Sequence, residues 1–259
     1  MLHKAKTLNG FKLNSLDGEI GKVKEFYFDD VYWAIRYIVV DTGNWLVNKH
    51  VLISPYALFG IKQEKQHIDV NFTKKQIEES PLMESDLPVS LQFENDYHAF
   101  HNWPMYWKGR YMWGETPSIQ RNRRQFIEAT KNLKPSNHHL RSTHKVTGYH
   151  IQATNGEIGH IDDYIIDDDT WAIRYIVIDT ENLWNGKKVL IAPSWIEKVS
   201  WSEEKVFVNL AREGIERSPE YTDKMLLTRN YEIELHNHYN RQGYWAVEPA
   251  DKKHSALKK

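Results

Sequence analysis

The chain has 259 residues, 34 Lys and Arg against 35 Asp and Glu, a formal charge of -1, 41% hydrophobic residues and no cysteine. That is the composition of a globular protein long enough for two cores. It excludes a disulfide framework, a thiolate zinc site, a cysteine nucleophile and an iron–sulfur cluster, and the balanced charge argues against a nucleic-acid coat.

In chain order, the N-terminus Met1-Leu2-His3-Lys4-Ala5-Lys6-Thr7 lacks the apolar run of a secretory signal. The most apolar segments, 34–40 and 172–178, each contain an arginine and fall far short of the roughly 20 residues that span a bilayer. The expectation is a cytoplasmic protein without a membrane span. Short β-branched and aromatic runs separated by turn residues then predict strands over 11–14, 20–28, 33–41, 49–53 and 67–71. Gly18 sits where a turn needs positive φ, and Asp29-Asp30 closes a hairpin, because aspartate accepts backbone hydrogen bonds at turns. The run from Trp33 is apolar on both sides, with Trp33, Ile35, Tyr37 and Val39 expected on one face and Ala34, Ile38 and Val40 on the other, as in a covered strand. Ser80-Pro81 reads as a helix start, and Phe93, Tyr97 and Phe100 form an apolar stripe at helical spacing.

The chain then repeats itself. A shift of about 138 residues aligns 2–107 with 140–245 without a gap, and about 32 of the 90 pairs from Gly18/Gly156 onward are identical. Gly18-Glu19-Ile20-Gly21 matches Gly156-Glu157-Ile158-Gly159, and Trp33-Ala34-Ile35-Arg36-Tyr37-Ile38-Val39 matches Trp171-Ala172-Ile173-Arg174-Tyr175-Ile176-Val177. Asp41-Thr42 and Tyr106-Trp107 recur as Asp179-Thr180 and Tyr244-Trp245. So long a period means duplicated domains rather than a solenoid. The organisation expected is a small barrel plus helix over 1–107, a basic linker over 108–139, a second barrel plus helix over 140–247, and a frayed tail over 248–259. The helices, striped in the second copy by Tyr231, Leu235 and Tyr239, are expected at the seam between the copies.

The Gly-Glu-Ile-Gly turn, the acidic hairpin and the Trp-Ala-Ile-Arg-Tyr-Ile-Val strand, recurring twice at one spacing, resemble the PRC-barrel family. The family takes its name from the cytoplasmic domain of the photosynthetic reaction-centre H subunit and includes the C-terminal half of a ribosome maturation factor. The chain looks like the stand-alone tandem members. The resemblance implies a mainly β fold of two small barrels serving interaction or assembly, without catalysis.

Arg36 and Arg174 lie inside the most apolar strands, and a buried guanidinium must find a carboxylate. Structural ion pairs with Asp41 and Asp179 are expected, with the hairpin acids as alternative partners and anion recognition as the competing reading. His98, His101, His236 and His238, with His138 and His139, have spacings of two and three where a helical metal pair needs four, which favours hydrogen-bonded histidines. The acids Asp162, Asp163, Asp167, Asp168 and Asp169 lack the calcium-loop pattern and read as a solvated turn. No phosphate loop, nucleophile elbow or paired-glutamate constellation appears.

Two features point outward. Residues 108–145 carry nine Lys or Arg against two Glu, with Arg121, Arg123 and Arg124 at the centre, a surface for RNA, an acidic protein or an anionic membrane face. Trp103, Tyr106 and Trp107, with Tyr244 and Trp245, are interface-type aromatics that equally close gaps between packed domains. The expected function is a non-enzymatic assembly module, without metal or cofactor, that docks another protein through the inter-barrel cleft or the linker. A small-ligand or metal-binding cleft is the alternative, and a homo-oligomer is left open.

Overall fold

The computed structural model describes residues 1–43, 46, 51–81, 89–109, 111–119, 139–180 and 186–247. The first copy holds β1 (Leu2–Lys4), α1 (Ala5–Leu8), β2 (Lys12–Ser15), β3 (Gly18–Asp29), β4 (Ile35–Asp41), β5 (Val51–Ile53), β6 (Leu58–Lys62), β7 (His67–Val70), α2 (Lys74–Glu79) and α3 (Leu91–Phe100). The second holds β8 (Leu140–Ser142), α4 (Thr143–Val146), β9 (His150–Ala153), β10 (Gly156–Asp167), β11 (Ile173–Asp179), β12 (Lys188–Ile191), β13 (Ile196–Ser200), β14 (Lys205–Val208), α5 (Arg212–Glu216), α6 (Arg229–His238) and α7 (Tyr244–Val247). Each copy forms a seven-stranded, barrel-like sheet, in the order β5-β4-β3-β2-β7-β6 and β12-β11-β10-β9-β14-β13. Buried Ile, Val, Leu and Phe side chains from every long strand fill the interior. Gly21 and Gly159 hold the barrel wall tight: a Cβ there would lie 2.2 and 2.0 Å from the Asp41 and Asp179 carbonyls.

The seventh strand of each sheet comes from the other copy. β1 runs antiparallel to β10, with Leu2 opposite Asp167 and Lys4 opposite Ile165, and β8 runs antiparallel to β3, with Leu140 opposite Asp29 and Ser142 opposite Tyr27. Between the barrels, Ile35 N–H donates to Trp171 O and Ile173 N–H to Trp33 O, both at 2.7 Å. Trp33 and Trp171 adopt left-handed φ of 52° and 58° to make this turn, a conformation costing a bulky residue about 1–3 kcal/mol. Their burial and the reciprocal hydrogen bonds hold them there. The seam is thus built by the exchanged strands, the short helices α1 and α4 that follow them and this bridge, rather than by α3 and α6. α3 instead lays Glu94, Tyr97 and His98 on its own barrel, and Tyr97 O–H donates to Leu52 O at 2.7 Å.

Three other local readings change. α3 starts at the Ser90 cap, whose hydroxyl accepts from Phe93 N–H, whereas Ser80 ends α2; Phe100 is half exposed. β4 begins at Ile35 rather than Trp33. Tyr27 pairs with Tyr37 but Phe28 with Ile35, so Arg36 is the extra residue of a β-bulge, and Arg174 is its counterpart between Tyr175 and Ile173. The bulge flips the strand: Ile35, Ile38 and Val40 face the barrel interior, while Tyr37 and Val39 face α3. The part of the expected 49–53 strand at residues 49 and 50, the linker arginines and the 248–259 tail lie outside the described residues.

Candidate functional site

The bulge aims each arginine back across its hairpin. Arg36 Nε donates to Asp29 Oδ2 at 2.7 Å with both side chains buried, and Asp29 Oδ1 accepts from Val31 and Tyr32 N–H at 3.0 and 2.7 Å. In the second copy Arg174 Nε and Nη2 reach Asp167 Oδ2 at 3.0 and 2.8 Å, and Thr170 O–H donates to the same oxygen at 2.8 Å. The partners are therefore the hairpin acids, not Asp41 and Asp179. Five residues along an extended strand span roughly 16 Å, beyond an arginine's reach, whereas a hairpin folds the acid back beside it. Asp41 is exposed and its carboxylate accepts from Gly43 N–H; Asp179 sits opposite His160 and Lys188 at the end of β11.

Beside each pair lies a polar network that the sequence reading missed. Buried Glu94 on α3 accepts hydrogen bonds from Tyr37 O–H at 3.1 Å and from Tyr106 O–H through the same oxygen. His98 Nδ1 donates to Pro104 O at 2.8 Å, since a carbonyl only accepts; its Nε2, 3.2 Å from the Tyr37 hydroxyl, then competes with Glu94 for that one proton. In the second copy Tyr175 and Tyr244 donate to Glu232 Oε1 at 2.9 and 3.0 Å, and His236 Nε2 is 3.1 Å from the Tyr175 oxygen. Burial, with the neighbouring glutamate behind it, raises the Tyr37 and Tyr106 hydroxyls well above the usual phenol range and pushes Tyr244 up to about 12. Burial also lowers the His236 pKa. A signal was available: across α3 and α6, Glu and His at four-residue spacing are the only residues shared, and that spacing puts them on one helix face.

The two sites then diverge. In the first, residues 111–116 fold back over the arginine, with bridges Tyr111–Gly114 and Trp113–Thr116. Gly109 permits the return, since a Cβ there would lie 2.1 Å from Gly114 O. Met112 O accepts from Arg36 Nη2 at 2.7 Å, the guanidinium packs 4.0 and 4.5 Å from the Tyr106 and Trp113 rings, and Trp113 Nε1 donates to Thr170 O across the seam. In the second, Arg174 keeps its ring contact with Tyr244 at 3.8 Å but borders a cleft of about 1160 Å³. Its walls are the exchanged Leu2–Lys4 strand, the 223–228 loop before α6, Arg229, Glu232, Tyr244 and Trp245. Arg229 lies 4.3 Å from the Trp245 ring and pairs with Glu232 at 3.0 Å.

The aromatic residues singled out in the sequence fall on both sides of this divide. Tyr106 and Trp107 are buried in the first copy, and Trp103 stacks on Tyr56, Phe72 and His101. Tyr244 and Trp245 are partly exposed at the cleft. Among the described residues, no group of three or more His, Asp or Glu is placed to hold a metal ion, and no helix is long and apolar enough to cross a membrane.

Two strand-exchanged barrels, each seating an arginine–aspartate pair beneath a buried tyrosine–glutamate network, define a duplicated small-barrel protein. Residues 4–77 match the family model of the PRC-barrel domain, and the first barrel is a PRC-barrel domain. The second repeats its strand order and register. No curated protein is matched by the chain.

Proposed function

We propose that the chain is a non-enzymatic, cytoplasmic assembly module that docks another protein in the cleft between the second barrel and the exchanged N-terminal strand. The observation carrying this reading is the pairing of Tyr244 and Trp245 with Arg174 and Arg229 along one wall. Partly exposed aromatics and arginines are the residues that most often anchor protein partners. The rim adds apolar surface, since Leu226 is 79% exposed and Met225 and Leu227 flank it. The polar networks behind the wall serve to hold it rigid, because each buried hydroxyl is tied to a glutamate.

A photo-crosslinking side chain placed at Leu226 in the source cell tests the reading. One protein joined at a mapped segment, and lost when Tyr244 and Trp245 are replaced by Ala, is the expected result. Crosslinks scattered over many abundant proteins would sink it. The second reading, a small ligand, draws on the cavity's size, which is near that of small-molecule pockets. Native mass spectrometry of the purified protein would then show a bound mass that disappears on denaturation.

A further inference from the structure

Resting on that docking reading, we infer that the partner enters the cleft with an extended segment that continues onto the first barrel and adds a strand to the free edge of β6. β6 is the last strand of its sheet, and among the described residues only β7 pairs with it. An edge strand turns alternate N–H and C=O groups away from its neighbour, and what satisfies such a row is another extended backbone. The occupant is therefore a peptide segment in β conformation.

The two copies treat this edge differently. Both edge strands carry the same bulge, between Leu58 and Gly60 and between Ile196 and Lys198, so the difference lies in the side chains. β13 has Glu197 and Lys198, both exposed, and charges on an edge discourage further pairing. At the corresponding positions β6 has Phe59, 63% exposed, and half-buried Gly60. A Cβ on Gly60 would meet nothing within 4 Å, so the space beside the strand is open. The ends of the two strands differ in the same sense. After β13, Trp201 packs 3.9 Å from the Arg141 guanidinium on β8 and beside Tyr149. After β6 the same position is Gln63, which lines the cleft together with Leu2, His3 and Lys4 of β1. The apolar edge thus leads into the cleft, whereas the charged one ends against a tryptophan. An aromatic or β-branched residue beside Phe59 is the favourable cross-strand neighbour, which sets the chemistry of the added segment.

The test places a photo-crosslinking side chain at exposed Lys62, at the end of β6, in the full-length protein in the source cell, alongside a separate one at Leu226. The expected result is one protein joined from both positions, at neighbouring stretches of its sequence. Phe59→Glu, which copies the second barrel at an exposed position, should cut the Lys62 product by about tenfold and the Leu226 product far less. A synthetic peptide of the stretch joined at Lys62 should then slow hydrogen exchange of the amides of residues 59–62 in the purified protein. Slowing confined to residues 223–228 overturns the strand addition. Lys62 joined to a second copy of this chain, or to nothing, while Leu226 still captures its partner, overturns it too and leaves the docking reading standing. If neither position captures a partner, both readings fall.

Discussion

The first barrel seals its arginine under Met112 and Trp113, whereas the second sets the equivalent arginine beside a cleft while keeping the aspartate, tyrosine and glutamate around it. Arg36 and Asp29 have side chains exposed by 0% and 1%, against 7% and 13% for Arg174 and Asp167. The same ion pair is thus a structural element in one copy and part of an accessible wall in the other. Duplication permits this split, because one site can be sealed within the molecule while its twin, still largely buried, borders a cleft.

The largest expected effect separates the two ion pairs. Arg36→Met leaves Asp29 charged and buried, and should cost about 3–5 kcal/mol in urea unfolding. Arg174→Met leaves Asp167 with the Thr170 hydroxyl and more water, and should cost roughly 1–3 kcal/mol. Equal costs would break the comparison. Next come the tyrosine hydroxyls: Tyr37→Phe should cost about 1.5–3 kcal/mol, as expected for a hydrogen bond to a charged group. Tyr175→Phe should lie at the lower end, since Glu232 keeps its ion pair with Arg229.

The smallest effects are opposed pH slopes. Burial pushes Asp163 up to about 6, so between pH 4 and 6 the native chain holds a proton that the unfolded chain has released, and stability falls as pH rises. Burial pushes His101, stacked between Phe72 and Trp103, down to about 4. From pH 6.5 downward the unfolded chain takes up that proton first, so stability falls as pH drops. Asp163→Asn should leave only the second slope and His101→Phe only the first, each visible as a shift on the order of a few °C in Tm between pH 4 and 7. Slopes unchanged in both variants would assign the pH response to other groups.

Much of the fold was legible because the chain states it twice. The Gly-Glu-Ile-Gly turn, the acidic hairpin and the apolar strand gave β2 to β5 and β7 within a residue or two at each described end. β1 and β8 escaped, because three residues carry no measurable period and their partners lie more than a hundred residues away. β6 escaped because Phe59, Gly60 and Lys62 break the apolar alternation. The bulge at Arg36 defeated the face assignment, since strict alternation allows no extra residue. At the candidate site, residue type alone singles out the arginines and Tyr244-Trp245. Glu94 and Glu232 were passed over because a helical glutamate ordinarily faces water.

The exchanged strands also impose an order on biosynthesis. Residues 2–4 are made long before their partner in β10, whose pairing stretch ends at Asp167, and the first barrel stays one strand short until Ser142 has been made. A nascent first half therefore carries an unpaired segment of β3 at its open edge, the kind of edge that invites pairing with another chain. Completion is therefore sequential: β8 supplies the missing strand of the first sheet, and the second sheet, with β1 already made, is complete only once β14 at Lys205–Val208 follows.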